Sequence, residues 1–178
     1  GRREQALTML DSLSVLLRYN LADAQMPALL GEELGITEEY LKIQKMRFSS
    51  RLNVDVRHDR KLEQAVTLPR FTLQPLVENA VIHGLEPKEE GGTLILDVRK
   101  TGNYIRIRIC DNGMGIEKER LERIRRRLSE KQPERIGVWN IWQRLSLYTG
   151  RDDSLKIMSK KGAGTIVSIY LHRGEEDV

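Results

Sequence analysis

Cysteine, aromatic residues and long apolar runs are all scarce in this sequence. The single cysteine, Cys110, excludes a disulfide framework and a cysteine-based zinc site within the chain, and it is compatible with a reducing cytoplasm. Charged residues interrupt every apolar stretch well before the roughly 20 residues that a membrane-spanning helix needs, and no signal peptide opens the sequence. Any link to a membrane is therefore expected in segments outside this chain.

The remaining composition is typical of a folded globular protein of 178 residues. With 39% hydrophobic and 31% charged residues, it is too apolar and too evenly charged for a disordered chain. The length suits one medium domain, or one domain with a helical appendage. A net charge of +4 raises the question of nucleic acid. Aromatic residues make up only 5%, however, and no stripe of interleaved basic and aromatic residues is present, which disfavours a nucleic-acid-binding module.

The first 51 residues have helical periodicity and almost no strand pattern. Apolar residues recur at three- and four-residue steps in two segments, which predicts two amphipathic helices separated by a break at residues 20–27. A hairpin of two such helices cannot bury both apolar stripes alone. It must pack on the rest of the chain, as a helical decoration, or on a second copy, as a dimerisation element. The stripes consist of Ala6, Leu10, Leu13 and Leu17, and of Leu30, Leu34, Leu41 and Phe48.

From residue 52 onward the pattern changes to mixed helix and strand. Alternating apolar residues on either side of turns at residues 101–103 and 162–164 predict two hairpins. Pairs of strands separated by helices predict an α+β fold, a two-layer α/β sandwich in which helices cover one face of one mixed sheet. The predicted strands are 52–56, 93–98, 104–109, 155–158 and 165–171, and the predicted helices are about 73–83, 118–128 and 138–148.

Residues 73–84 carry the first candidate site, with the sequence LQPLVENAVIHG. Pro75 fits a first helical turn and Gly84 a C-terminal cap, so the stretch predicts one short helix. Asn79 and His83 are four residues apart and share a face other than the apolar one. An amide and an imidazole that project together can coordinate a cation and bind phosphate oxygens. The alternative is that Asn79 and His83 simply lie on the polar, solvent-exposed face of the helix.

Three further stretches are rich in glycine. Asp111 follows a predicted strand and can accept a hydrogen bond from an exocyclic amine, while Gly113 and Gly115 let the backbone pass close to a ring. Residues 136–140 open a helix, where free N–H groups favour phosphate. Residues 162–165 lie between strands. Each stretch alone is also typical of an ordinary turn or cap, but all four in this order are far more specific.

The four stretches resemble the N, G1, G2 and G3 boxes of the ATP-binding fold shared by gyrase, the ninety-kilodalton heat-shock chaperone, histidine kinases and MutL. Within that superfamily, LQPLVENA followed by His-Gly resembles the LytS/YesM-like sensor histidine kinases. The segments LLRY, EEL, YLKIQ and RF of the first 51 residues are similar to the dimerisation region of those kinases. The resemblance implies the GHKL (Bergerat) type of α/β sandwich, preceded by part of the dimerisation and histidine-phosphotransfer region over 1–51, with an ATP-binding catalytic domain over 52–178.

The resemblance also implies roles for individual residues. Asn79 would be a ligand of the Mg²⁺ that bridges the ATP phosphates, His83 would lie near those phosphates, and Asp111 would accept from the adenine amine. Residues 117–135, here called the lid segment, carry eight Lys and Arg against five Glu and would lie beside the polyphosphate. Its stripe of Leu121, Ile124 and Leu128 predicts a short helix with little anchorage. The remaining implied ATP-binding residues are Gly113 and Gly115 in the adenine pocket, Gly137 and Asn140 at the phosphate end, and Gly162, Gly164 and Thr165 at the rear.

Three positions depart from the family pattern. Arg135 stands where many relatives have a first glycine, so lid closure is expected to differ. Ile82 occupies a place often filled by Lys, which removes a phosphate contact. Pro75 lies one turn before Asn79, where ATP-hydrolysing members carry a catalytic Glu. No side chain at that position can activate water, which favours phosphoryl transfer to a protein over hydrolysis.

The resemblance implies a protein histidine kinase that phosphorylates a His and then an Asp of a response-regulator receiver domain. The phosphoacceptor motif Pro-His-Phe of the family is absent, and the only histidines are His58, His83 and His172. We therefore expect a chain that starts after the acceptor, binds ATP with Mg²⁺ and cannot phosphorylate itself. Further expectations are a homodimer through the N-terminal helices and a cytoplasmic position within an inner- or plasma-membrane sensor. The alternatives are a serine kinase or ATPase of the same fold and, less favoured, the nucleic-acid-binding module.

Overall fold

A helical hairpin opens the fold in the computed structural model, which describes residues 2–21, 26–132 and 137–172. Helix α1 spans Arg2–Asn20 and helix α2 spans Leu30–Phe48, as the periodicity predicts. At the start of α2, the Glu32 carboxylate accepts a hydrogen bond from the N–H of Leu29 (2.9 Å) and satisfies a free donor of the first turn. The apolar face of α2 is buried, whereas Leu10, Leu13 and Leu17 of α1 are exposed.

The sheet has five strands and is mixed, as predicted. Its order is β2-β4-β5-β7-β6, with β2 parallel to β4 and every other neighbouring pair antiparallel. The hairpin of β4 and β5 turns at Gly102, which has a positive φ. The strands are β2 (Leu52–Arg57), β4 (Gly92–Thr101), β5 (Tyr104–Asp111), β6 (Leu155–Lys160) and β7 (Gly164–His172).

Helices cover one face of the sheet. On β5, Ile105, Ile107 and Ile109 are buried beneath them, while the alternate residues Arg106 and Arg108 face the opposite, partly exposed side. A layer of helices on one face of a mixed sheet confirms the predicted two-layer α/β sandwich. The helices are α3 (Lys61–Ala65), α4 (Leu73–Asn79), which continues into a wider π-type turn at Ala80–Leu85, α5 (Lys118–Ser129) and α6 (Gly137–Thr149).

A small two-stranded ribbon joins the hairpin to the rest of the fold and was not predicted. Strand β1 (Pro27–Leu29) pairs antiparallel with β3 (Thr67–Pro69), so that the two prolines lie opposite each other. Strands of three residues are too short to show alternation, and proline is usually a signal against a strand. A short 3₁₀ turn, Ser49–Arg51, separates α2 from β2. Within the described ranges, no helix is both long and apolar enough to cross a membrane.

Candidate nucleotide-binding site

A cavity of about 330 Å³ opens between α4, the sheet, α5 and the first turn of α6. Six of the ten predicted site residues line it, and they come from all four motifs. The cavity also has an aliphatic wall that the motifs do not include. The six are Asn79, His83, Asp111, Gly115, Gly137 and Thr165, and the apolar residues beside them include Ile109, Ile116, Ile124, Val138, Ile157 and Val167.

The packing of α4 directs Asn79 and His83 into the cavity. Leu73, Val77 and Val81 are fully buried, so the opposite side of the helix carries the polar pair toward the opening. The first and third motifs meet at this point, because a Cβ atom added at Gly137 would lie 3.9 Å from Nδ2 of Asn79. The amide of Asn79 and the first residue of α6 are therefore side by side.

Asp111 ends β5 and is the only carboxylate among the described residues that line the cavity. Its side chain is 9% exposed, and Oδ1 accepts a hydrogen bond from the N–H of Gly113 (2.9 Å). Burial raises the pKa of the Asp111 carboxyl above its ordinary value, while the N–H groups of Gly113 and Thr165 oppose that rise. The group is thus a buried acceptor that faces an open space.

Three glycines allow the close packing behind Asp111. A Cβ atom at Gly113 would overlap the backbone of Gly84, and one at Gly84 would lie 2.8 Å from Oδ1 of Asp111. A Cβ atom at Gly164 would overlap the carbonyl oxygen of Asp111. The end of α4, the end of β5 and the start of β7 therefore meet backbone to backbone. The glycines of the first, second and fourth motifs account for this contact.

Asn140 and Gly162 lie outside the lining of the cavity. The side chain of Asn140 is exposed on α6, and its carbonyl oxygen accepts a hydrogen bond from Nε of Arg144 (3.3 Å). Gly162 donates its N–H to the carbonyl oxygen of Met114 (2.7 Å), which joins the turn between β6 and β7 to the loop after Asp111. These two predicted site residues contact the neighbouring elements and do not line the cavity.

Helix α5 of the lid segment is better anchored than its sequence predicts, so the expectation of little anchorage is wrong for this helix. Leu121 and Ile124 are buried in the main core. Arg125 adds a second attachment, because its Nε and Nη2 donate to the carbonyl oxygen of Ile157 in β6 (3.1 and 2.7 Å). Two buried side chains and two hydrogen bonds to one carbonyl oxygen therefore attach this 12-residue helix to the core and to β6. Pro133 and Arg135 lie outside the described residues.

Arg120 is a cavity residue that sequence reasoning missed. It lies in the first turn of α5 and lines the cavity. Among eight basic residues in the lid segment, composition alone gives no reason to choose it. The apolar wall, by contrast, follows from alternation, since Ile109 is two residues before Asp111 on the same face of β5.

The cavity has little negative charge with which to hold a metal ion by itself. No group of three or more His, Cys, Asp or Glu side chains in the described ranges could bind a metal. The amide of Asn79 is a suitable oxygen ligand for Mg²⁺, which usually completes its shell with water and substrate phosphates. The donor set therefore fits a cation that arrives with a polyphosphate.

The sequence matches two protein families in the order that the motifs imply. Residues 1–52 match the family "Histidine kinase", and residues 65–175 match the family "Histidine kinase-, DNA gyrase B-, and HSP90-like ATPase". The curated sensor protein kinase HptS of Staphylococcus aureus strain USA300 is 30% identical over 177 residues, which are 97% of this chain and 34% of HptS. The chain thus spans about a third of the length of the curated relatives it matches.

Solved structures of histidine kinases have the same fold. The histidine kinase domain of the blue-light-activated kinase of Erythrobacter litoralis matches 96% of this chain and 80% of its own, with a TM-score of 0.57 and 18% identity. The catalytic domain of the histidine kinase ThkA matches 83% and 95%, with a TM-score of 0.58 and 13% identity. The chain belongs to the histidine kinase-, DNA gyrase B- and HSP90-like ATPase family and contains a GHKL ATPase domain.

Proposed function

We propose that this chain is the ATP-binding catalytic core of a bacterial two-component sensor histidine kinase. It would transfer the γ-phosphoryl group of ATP to a His of the full-length protein, from which the group passes to an Asp of a response-regulator receiver domain. The observation that carries the proposal is the convergence of Asn79, Asp111, Gly137 and Thr165 on one cavity. A single cavity provides an acceptor for adenine at one place and an amide beside a helix N-terminus at another.

The residues of the cavity divide into an adenine end and a phosphate end. Asp111 accepts from the adenine amine, and the loop of Gly113 and Gly115 lies along the ring. At the other end, Asn79 would be the protein ligand of Mg²⁺, and His83 and Arg120 would lie near the phosphates. When bound, Mg²⁺ offsets the charge of the phosphate oxygens. The family resemblance supports these roles, and catalysis would rest on positioning and electrostatics.

The chemistry at the phosphate end favours transfer to a protein over hydrolysis. Activation of water needs a general base within reach of the γ-phosphate. Pro75 lies one helical turn before Asn79, and Asp111 is the only acid among the described lining residues. Because Asp111 is assigned to adenine, no carboxylate remains there to orient water. A GHKL-type serine kinase would share this feature, so the acceptor has to be identified by experiment.

The three histidines of this chain are poor phosphoacceptors. His58 has its Nδ1 3.4 Å from a carboxylate oxygen of Glu63, and His172 packs against the ring of Tyr104 with a centroid distance of 5.8 Å. His83 lines the nucleotide cavity itself. An acceptor must be presented from outside to the γ-phosphate. We therefore assign the acceptor to a His outside these 178 residues.

The helical hairpin is proposed to form a homodimer. Five leucines along α1 and at its C-terminal end are exposed, with Leu10 at 59% and Leu17 at 64%. They are Leu7, Leu10, Leu13, Leu17 and Leu21. Their steps of three and four residues make a continuous apolar stripe. A second copy of the hairpin would cover that stripe in a bundle. We retain the division into a dimerisation region at 1–51 and a catalytic domain at 52–178, the LytS/YesM-like subfamily, and a cytoplasmic position within a membrane sensor as parts of this proposal.

Titration with a fluorescent ATP analogue and Mg²⁺ tests the first part of the proposal. Saturable, metal-dependent binding to this chain is expected, and its absence would contradict the proposed function. The second part needs the full-length protein with γ-labelled ATP. Acid-labile, base-stable phosphate on the protein supports a histidine kinase, acid-stable phosphate supports a serine kinase, and release of free phosphate without labelled protein supports an ATPase.

A further inference from the structure

Glu33 of α2 is a fully buried carboxylate with no part in the cavity. Its side chain is 1% exposed. Its Oε1 accepts from the N–H of Phe71 (2.7 Å), and its Oε2 accepts from the N–H groups of Thr72 (2.9 Å) and Leu73 (2.8 Å). The hydroxyl of Tyr19 donates to Oε1 as well. A buried carboxylate that accepts from four donors is stable only when the three backbone N–H groups and the Tyr19 hydroxyl all stay in place.

The three backbone donors belong to the start of α4. The first N–H groups of a helix have no partner within the helix and need an acceptor from elsewhere. Thr72 stands at the cap position of α4, but its hydroxyl donates to the carbonyl oxygen of Pro69 (2.6 Å) and gives α4 no cap. Glu33 supplies the cap instead, from a helix about 40 residues away in the sequence, and its negative charge suits the helix N-terminus.

The same turn is held from the opposite side by α6. Nη1 of Arg144 donates to the carbonyl oxygen of Arg70 (2.8 Å), and Nη2 donates to that of Phe71 (2.7 Å). Phe71 has a φ of 60°, a conformation that a non-glycine residue adopts only when its surroundings enforce it. The turn before α4 is therefore maintained jointly by α2 and α6.

Helix α1 reaches the same turn through Tyr19. The ring of Tyr19 packs edge to face on Phe71, with a centroid distance of 5.2 Å, and the guanidinium of Arg70 lies 4.9 Å from the Tyr19 centroid. Both helices of the hairpin thus contact the residues that begin α4. Any movement of α1 against α2 has to break or shift the contacts of Tyr19 and Glu33 at this turn.

The other end of α4 carries Asn79. The helix is seven residues long and continues into the turn that carries His83, so a displacement at its start is transmitted to the polar residues in the cavity. We propose that Glu33 is a positioning residue for the metal-binding end of the nucleotide site, through which the arrangement of the N-terminal hairpin sets the placement of Asn79. This inference rests on the proposed function, since it gives Asn79 a role in binding Mg²⁺ with ATP.

The test compares Glu33→Gln and Tyr19→Phe with the matched control Glu38→Gln, an exposed glutamate on the same helix. The affinity for a fluorescent ATP analogue is measured with Mg²⁺ and again with EDTA, and thermal unfolding is recorded in parallel. Glu33→Gln is expected to weaken the affinity measured with Mg²⁺ by about five- to tenfold, the factor that corresponds to the free energy contributed by a helix cap. The loss of affinity in EDTA is expected to be smaller. Tyr19→Phe should show the same pattern with a smaller loss, and Glu38→Gln should bind as the unmodified chain does.

A double-mutant cycle with Asn79→Ala identifies the route of the effect. Substitutions at residues that do not touch normally have independent effects, so the fold-losses of affinity in the two single variants should multiply in the double variant. A fold-loss in the double variant that is clearly smaller than this product shows that Glu33 acts through Asn79. Independent losses, equal losses in Mg²⁺ and EDTA, or a lower Tm with unchanged affinities would each overturn the inference. If Glu33→Gln does not fold, Tyr19→Phe decides, because it keeps all three backbone contacts. Failure of the unmodified chain to bind nucleotide would instead refute the proposed function and the inference together.

Discussion

Replacement of Asp111 by Asn is the sharpest test of the adenine end of the cavity. The substitution changes one oxygen to an amide nitrogen and leaves the size of the side chain almost unchanged. Oδ1 of Asp111 already accepts from the N–H of Gly113 at 2.9 Å. In the variant, the amide oxygen is expected to keep that contact, because an amide NH₂ group cannot accept a hydrogen bond from an N–H. The new NH₂ group then faces the cavity, where the adenine amine needs an acceptor.

The expected loss of affinity follows from this exchange. A hydrogen bond to a charged group contributes about 1.5–3 kcal/mol, which corresponds to a loss of roughly 10- to 150-fold in affinity for an adenine nucleotide. A guanine nucleotide presents a carbonyl at the equivalent place on its ring, so its affinity should fall much less or rise. The preference for ATP over GTP is therefore the most specific quantity to measure.

The same substitution is expected to leave stability unchanged or to increase it. Burial raises the pKa of Asp111 above the ordinary value of 3.8, which means that the ionised form is disfavoured in the folded state. For a group whose pKa is higher in the folded state, the contribution to stability is present at low pH and is lost as pH rises through the folded pKa. As the pH falls toward 3.8, the free energy of unfolding of the unmodified chain should therefore rise relative to that of the Asp111→Asn variant.

Calorimetric titration with ATP and GTP analogues, together with denaturant unfolding at several pH values, checks both expectations. Asp55→Asn serves as the control, because Asp55 is a partly exposed strand residue that pairs with Arg57 and does not line the cavity. An Asp111→Asn variant that binds ATP as tightly as before, with the same preference over GTP, would refute the placement of adenine. A variant that loses affinity only because it unfolds would be identified by its denaturation curve.

Three further predictions concern the metal, the lid segment and the hairpin. Asn79→Ala should lose more affinity for nucleotide with Mg²⁺ than with EDTA, and equal losses would contradict its role as a ligand. Arg125→Ala should speed amide exchange in α5, because it removes the hydrogen bonds to Ile157, whereas Arg123→Ala on the exposed side should not. Leu10→Ser combined with Leu17→Ser should shift the chain toward a monomer in sedimentation, since both side chains are exposed on the apolar stripe; an unchanged mass would place the dimer contact elsewhere.

Local patterns were sufficient for most of the catalytic domain. The alternation of β5 places Ile105, Ile107 and Ile109 toward the helices and puts Asp111 at the end of the same face. The spacing of Asn79 and His83 brings both to one side of the helix that begins at residue 73. These features depend on neighbours two to four residues apart, which is the range over which periodicity carries information. The order of the motifs then identified the fold.

Long-range contacts could not be predicted in the same way. Glu32 and Glu33 are adjacent acids in one helix, yet Glu32 is exposed at its start and Glu33 is buried. The first turn gives Glu32 a local partner in the N–H of Leu29, but no residue within four positions is the partner of the Glu33 carboxylate, which binds the N–H groups of residues 71–73. The anchorage of α5 was underestimated for a related reason, since the acceptor of Arg125 is a backbone carbonyl in β6. Because every residue has a backbone carbonyl, the sequence does not show which one accepts a hydrogen bond from a given side chain.

Three carboxylates are buried among the described residues, and one of them, Asp97, is paired with the guanidinium of Arg99 (2.8 Å). The other two, Glu33 and Asp111, differ in how many of their acceptor positions are filled, and that difference indicates which one is open to a ligand. A carboxylate has about four lone-pair positions. Glu33 receives four donors, all from the chain itself, and is closed off from solvent. Asp111 accepts a hydrogen bond from the N–H of Gly113, lies close to that of Thr165, and lines the cavity. Because burial of an incompletely paired carboxylate is costly, Asp111 is the one that gains from a donor brought by a ligand, and the adenine amine is such a donor.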